Sequence, residues 1–237
     1  FCLYFKSHFR MANWTLASTV DKIRGPKGTT VLLSVLHKNS EKPVDVKITR
    51  DTITVKSVNG WVKDAKDIEG INIAKDITGK IAYVRLSQFG DSTNNDWQNI
   101  IAKFDLQMQT DKSIEGFIID LRNNPGGYLS DAVFISSEFL KKGTPVVLEE
   151  NGQGIRKTTS VQRRGLMYDI PVVVLINKGS ASASEIVSGA LRDNRRATLV
   201  GETSFGKGTI QQAQDLGNGA GIHVTVAKWL TPNGTWV

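Results

Sequence analysis

Residues 172–186 read VVVLINKGSASASEI, and the rest of the chain can be organised around them. Five aliphatic residues without alternation read as a strand buried on both faces. Lys178 to Ser182 is a small-residue turn, which ends the strand sharply. A helix is expected over 183–193. The same strand–turn–helix unit occurs upstream. There GFIIDL (116–121) is an apolar strand and Asn123-Asn124-Pro125-Gly126-Gly127 a sharp turn. A helix over 129–141 follows, with Ala132, Val133, Ile135, Ser136, Phe139 and Leu140. Before it, Ile81–Leu86 reads as a strand. Trp97, Ile100, Ile101, Phe104 and Met108 fall at helical spacing within 94–109. Strands are expected at 145–149, 198–201 and 221–230, a surface loop or hairpin over 150–168, and a Gly-rich loop over 202–208. Buried strands alternating with helices predict an α/β fold, a layered core with substantial parallel pairing.

The first 50 residues have a different character. Leu16, Val20 and Ile23 predict a short helix over 15–24, capped by Thr15 or Asn13 and stopped by Gly25-Pro26. Val31–Leu36 and the alternating Val44, Val46 and Ile48 predict a hairpin around the polar turn 38–42. One helix and one hairpin do not make a stable domain, so residues 1–50 read as the end of a small β-rich module. Residues 1–10 (FCLYFKSHFR) form an atypical aromatic and basic leader with no clear strand. A core domain is expected over 51–237, entered through short strands and a polar link at 51–80. Both ends read as cut, the C-terminal one inside an element.

Composition narrows the function classes. The chain has 237 residues, 40% hydrophobic and 22% charged, enough for a sizeable core. The net charge of +7 comes from scattered Lys and Arg, the densest cluster being Arg192, Arg195 and Arg196. No stretch interleaves basic and aromatic residues, which argues against nucleic acid and leaves a solvated surface leaning mildly toward membranes. The single Cys2 excludes an internal disulfide. No apolar run reaches the roughly 18 residues of a membrane span, and the leader is too short for a cleavable signal.

Three segments could carry chemistry. Ser182 stands where a buried strand enters a helix, and unpaired first-turn amides there could hold an oxyanion. The commoner reading is that these serines cap the helix, with Glu185 completing a capping arrangement. A serine nucleophile needs a base. His8 and His37 lie outside the core, His223 sits in an alternating strand, and no Gly-x-Ser-x-Gly turn surrounds Ser182. A lysine can serve if its neutral form is available, although its ordinary pKa is about 10.4. Lys207, in Phe205-Gly206-Lys207-Gly208, is the candidate, against the plain reading of an exposed turn lysine. The third segment, Asp120 to Gly127, leaves a buried strand and could present free amides. Its plain reading is a connector held by Asp120 and Arg122.

In this order, DLRNNPGG, GSASASEI, GETSFGKG and Gln211 resemble the carboxy-terminal processing peptidases, also called tail-specific proteases, of the S41 family of Ser–Lys serine peptidases. The likeness covers residues 11–232. It implies a core related to the crotonase and Clp-peptidase folds, preceded by a partial PDZ domain. It implies Ser182 as nucleophile, Lys207 as base, Gln211 positioning its amine, and the backbone amides of Gly127 and Ala183 as oxyanion donors. The implied activity is that of a serine-type endopeptidase cleaving proteins near accessible C-terminal tails through an acyl-enzyme. No metal or cofactor is required, and the implied location is extracytoplasmic, periplasmic or on the outer face of the membrane. Protein or peptide substrates are the expected partners, with membrane-surface association and oligomerisation left open. Two rivals stand beside this reading. One is an inert peptide-binding scaffold of the same fold. The other is a P-loop NTPase, because Gly201 to Lys207 fits Gly-x4-Gly-Lys, although Gly208 stands where Ser or Thr would hold the metal.

Overall fold

The structure, a computed structural model, describes residues 2–5, 9–10, 15–38, 40–52, 56–68, 78–217 and 219–237. Asn13 and, within the link at 51–80, residues 53–55 and 69–77 lie outside them. The chain divides into two compact units, 1–55 and 56–237.

The first unit holds a four-stranded antiparallel sheet of order β2-β1-β3-β4, made of β1 (Cys2–Phe5), β2 (Phe9–Arg10), β3 (Thr30–Leu36) and β4 (Val44–Thr49). The leader is therefore not devoid of strands, since β1 pairs with β3 from Cys2↔Leu36 to Phe5↔Leu33. Its Cys-Leu-Tyr-Phe run suits a strand, but four residues are too few to show alternation. The predicted helix is α1 (Leu16–Ile23), and Thr15 caps it by accepting the Ser18 N–H at 3.2 Å. The Arg50 guanidinium donates to the Ile23 carbonyl at 2.7 Å and to Thr29 Oγ1 at 2.9 Å, joining helix end to hairpin.

The second unit is built on a five-stranded sheet of order β11-β10-β7-β6-β5. Its members are β5 (Val58–Asp64), β6 (Lys80–Leu86), β7 (Ile114–Asp120), β10 (Val172–Ile176) and β11 (Ala197–Gly201). Pairings β6–β7, β7–β10 and β10–β11 are parallel, and only β5 runs antiparallel. Helix α2 (Thr93–Thr110) connects β6 to β7, and α4 (Ala183–Asp193) connects β10 to β11. One face of the sheet buries Ala82, Val84, Phe117, Ile119, Val172 and Val174 in a core shared with Trp97, Ile101 and Phe104 of α2 and Ile186, Val187, Ala190 and Leu191 of α4. Tyr83, Ile118 and Val173 on the opposite face are only half-buried. The two faces are therefore unequal, which a run of five aliphatics does not reveal.

A second sheet, of order β12-β13-β8-β9, contains β8 (Pro145–Asn151), β9 (Arg156–Ser160), β12 (Thr209–Gly217) and β13 (Ala220–Leu230). Of the surface loop or hairpin expected over 150–168, residues 156–160 form β9, which pairs back onto β8 as a hairpin. Strand β12 has no counterpart in the sequence reading. Most of its residues are exposed, so no buried face imposes a period of two on TIQQAQDLG. Helix α3 (Leu129–Ser136) is shorter than the expected 129–141. After Ser136 the backbone tightens to i→i−3 bonds, Glu138 N–H to Ile135 O and Phe139 N–H to Ser136 O. The buried Glu138 carboxylate there accepts from Arg163 (2.6 Å), the Leu166 N–H (2.7 Å) and Trp97 Nε1 (3.3 Å).

The basic cluster is largely structural. The Arg196 guanidinium donates to the Met167 and Ile170 carbonyls, both at 2.6 Å, and Arg192 pairs with Asp193 at 2.8 Å. Among the described residues no helix is long and apolar enough to cross a membrane.

Candidate active site

Strands β7 and β10 are parallel neighbours, so their carboxyl ends deliver two turns side by side. The turn after β7 begins at Asp120, whose buried carboxylate is gripped by Arg122 through Nε (2.9 Å) and a terminal nitrogen (2.7 Å) and by the Tyr83 hydroxyl (2.6 Å). Burial pushes this carboxyl up, but the bonds from Arg122 and Tyr83 outweigh it and hold it below the usual range. The connector role expected of Asp120 and Arg122 is thus real.

The two turns are laced together. Asn123 N–H donates to Asn177 Oδ1 at 2.8 Å, and Asn177 Nδ2 returns a bond to Asn123 Oδ1 at 3.0 Å. The Asn124 carbonyl accepts both the Ala181 N–H and the Ser184 hydroxyl at 3.0 Å. Ser180 Oγ donates to the Leu121 carbonyl at 2.8 Å. These small polar residues therefore satisfy the backbone of the neighbouring turn rather than solvent.

Ser182 is the N-cap of α4 and adopts φ 55°, ψ −115°. Only Asn123, Ser182 and Arg195 among the described non-glycine residues have positive φ, and two of them lie at this pair of turns. Backbone strain of this kind clusters at active sites and ligand clamps. The capping arrangement is also present through Glu185, whose carboxylate accepts the Ser182 N–H at 2.6 Å. The Glu185 N–H itself donates to the Ser182 carbonyl at 2.8 Å. Gly126 packs onto this corner, because a Cβ there would come 2.9 Å from the Ala183 nitrogen. Among the described residues the N–H groups of Gly127 and Ala183 meet no hydrogen-bond acceptor. The Ala183 N–H belongs to the residue after the serine, and Gly127 follows Gly126, which packs on Ser182.

The Lys207 loop reaches the same corner through its main chain. Phe205 N–H donates to the Ser180 carbonyl at 2.9 Å. Glu185 accepts the N–H groups of Gly206 (2.6 Å) and Lys207 (3.0 Å). The Lys207 side chain is exposed, and its amine makes no hydrogen bond with Ser182. Gln211 lies on β12 opposite Thr225, at a bulge between Ile210 and Gln211, and is also exposed. The structure thus brings the Ser182 turn, Gly126 and the Lys207 backbone to one corner, while the Lys207 and Gln211 side chains stay in solvent. His223 is exposed on β13. The P-loop reading fails on two counts. The loop after β11 leads into a strand rather than a helix, and the amides of Gly206 and Lys207 are committed to Glu185 instead of being free for phosphate. Glu185, read from sequence only as a helix cap, is the side chain that the sequence undervalued. An acid three residues after an N-cap carries no sign of a second partner 21 positions away.

Fold and turn together define a layered α/β protein with a strained serine at a strand-to-helix corner. The chain belongs to peptidase family S41, which matches residues 80–237. It is 40% identical over 226 residues to a carboxy-terminal-processing protease of Bartonella bacilliformis, covering 95% of this chain and 48% of that protein. It is 36% identical to the carboxy-terminal processing protease CtpB of Bacillus subtilis, covering 96% and 44%. A solved structure of a photosystem II D1 C-terminal processing protease superposes with a TM-score of 0.67 at 29% identity, covering 97% of this chain and 58% of that one. The chain spans about half the length of the curated relatives it matches.

Proposed function

We propose that the chain is the core of a serine-type endopeptidase that cleaves proteins near accessible C-terminal tails. One observation carries this reading. Ser182 sits strained at the entrance of α4, with Gly126 packed against it and the Lys207 loop tied to the same corner. The amides of Gly127 and Ala183, which have no acceptor among the described residues, are the proposed oxyanion donors. Ser182 attacks the scissile carbonyl, and Lys207 takes the proton. The two amides hold the oxyanion, and losing one such donor costs about 2.7–4 kcal/mol. Lys207 then protonates the leaving amine, and water releases the acyl group. Gln211 orients the lysine amine. A catalytic hydrogen bond is often loose without substrate, and a peptide laid over the loop would exclude water from the exposed amine.

The first unit is proposed to be part of a PDZ domain, which would take up a substrate tail as an added strand. Residues 1–50 and 51–237 are the proposed domains, and action outside the cytoplasm follows from the family resemblance. The exposed amine favours the second reading, an inert peptide-binding scaffold. Reaction with a fluorophosphonate and digestion of casein separate the two. Wild type should react at Ser182 and digest casein, whereas Ser182→Ala and Lys207→Arg should do neither, since arginine supplies no neutral base. An active Ser182→Ala would remove the nucleophile, and an active Lys207→Arg the base.

A further inference from the structure

From this geometry we infer that Glu185 is the positioning residue that sets the Lys207 loop against Ser182; this rests on the dyad proposed above. Its carboxylate is buried, with 4% of the residue exposed. It accepts three main-chain N–H groups: Ser182 at 2.6 Å, Gly206 at 2.6 Å and Lys207 at 3.0 Å. Oε2 takes Ser182 and Lys207, and Oε1 takes Gly206. One rigid group is therefore bonded to the residue carrying the hydroxyl and to the residue carrying the amine. Charge-assisted bonds of this kind are about twice as strong as neutral ones.

The rest of the loop is anchored independently. Phe205 N–H reaches the Ser180 carbonyl at 2.9 Å. The Gly208 carbonyl accepts from the Trp229 N–H and from Trp236 Nε1, both at 2.8 Å. Between these anchors the amides of Gly206 and Lys207 have only Glu185, among the described residues. A capping role alone would need the Ser182 bond and nothing else. The two loop bonds span 21 and 22 positions of sequence and add nothing to the helix. Glutamine at 185 would keep one acceptor oxygen and turn an NH₂ group toward donors, so it cannot serve all three amides. Aspartate keeps the charge but is one methylene too short to hold both sides.

The test uses the 237-residue chain with Glu185→Gln and Glu185→Asp, read by amide hydrogen exchange and by fluorophosphonate labelling. In both variants the Gly206 and Lys207 amides should exchange roughly 10- to 100-fold faster, the equivalent of one lost charged hydrogen bond. Amides of β7 and β10 should keep their protection. Labelling of Ser182 should slow by roughly 10²-fold, the penalty for about 1 Å of misplacement, with the concentration dependence of the probe unchanged. Unaltered exchange at Gly206 and Lys207 would overturn the inference, as would labelling at the wild-type rate. Loss of protection throughout α4 and β10 would also overturn it, since Glu185 would then hold the fold alone. Unreactive Ser182 in the wild type would sink the dyad, and the exchange rates would still decide the clamp.

Discussion

Gly126 lies directly against Ser182, so that a Cβ at position 126 would stand 2.8 Å from the Ser182 Cβ and 2.6 Å from the Ala181 carbonyl oxygen. The turn after β7 and the turn after β10 therefore share one tightly packed corner. Gly126 also has φ +96°, which disfavours any side chain. Gly126→Ala is expected to push the two turns apart and to slow labelling of Ser182 by roughly 10²-fold. Gly152→Ala, where nothing lies within 4 Å, should leave labelling unchanged, and the two rates compared side by side check the point.

Glu138 closes the end of α3 by accepting from Arg163, Trp97 and the Leu166 N–H. Removing one partner of a buried ion pair costs about 3–5 kcal/mol. Glu138→Ala is expected to destabilise the chain by about that much in urea unfolding. Labelling per folded molecule should persist below the transition. A loss under about 1 kcal/mol, the value of an exposed pair, would show that the knot is dispensable.

Tyr83 is pushed up to about 12 by burial and by its bond to the Asp120 carboxylate. The folded state thus holds its phenolic proton after the unfolded chain, with its ordinary value near 10, has released it. Stability from this group is complete below pH 10 and is lost as pH rises toward 12. In a spectroscopic titration one tyrosine should ionise late, and Tyr83→Phe should remove that late phase and flatten the fall in stability. No change in the late phase would disprove the assignment.

Asp131 is buried at the start of α3, and among the described residues its Oδ2 has no hydrogen-bond partner, as is also true of Asn94 Oδ1. Burial pushes its carboxyl up, with a smaller contribution from Asp91, while bonds from Asn94 and Ser130 oppose the rise. A raised carboxyl favours the folded state below the ordinary value of 3.8, and that advantage is lost as pH rises through the folded value. Asp131→Asn is therefore expected to stabilise the chain at pH 7, by about 1 kcal/mol if it relieves one unsatisfied buried group. Urea midpoints at pH 4 and pH 7 check this, and a variant less stable at pH 7 would refute it.

Periodicity carried the sequence reading where one face is buried. Helix α2, with Trp97, Ile101 and Phe104 inward, was legible that way, whereas the parallel strands β7 and β10 were legible as short continuous apolar runs that did not reveal their unequal faces. Strand β12 was not, because exposure on both sides leaves no pattern to read. The true end of α3 was hidden because it depends on Glu138 turning inward to Arg163, 25 residues away. On the candidate site, the serine turn and the Gly-rich loop were visible as local motifs.

Local sequence determined the strand–turn–helix units and the small residues that let their turns approach, since these depend on side-chain pattern and backbone freedom within a few positions. Only the tertiary structure decided that Ser182 is strained, that Gly126 presses on it, and that Glu185 joins it to Gly206 and Lys207. Those relationships come from parallel pairing of β7 with β10 and of β10 with β11. That pairing brings distant turns to one edge of the sheet, and contacts of such long range leave no periodic trace in the chain.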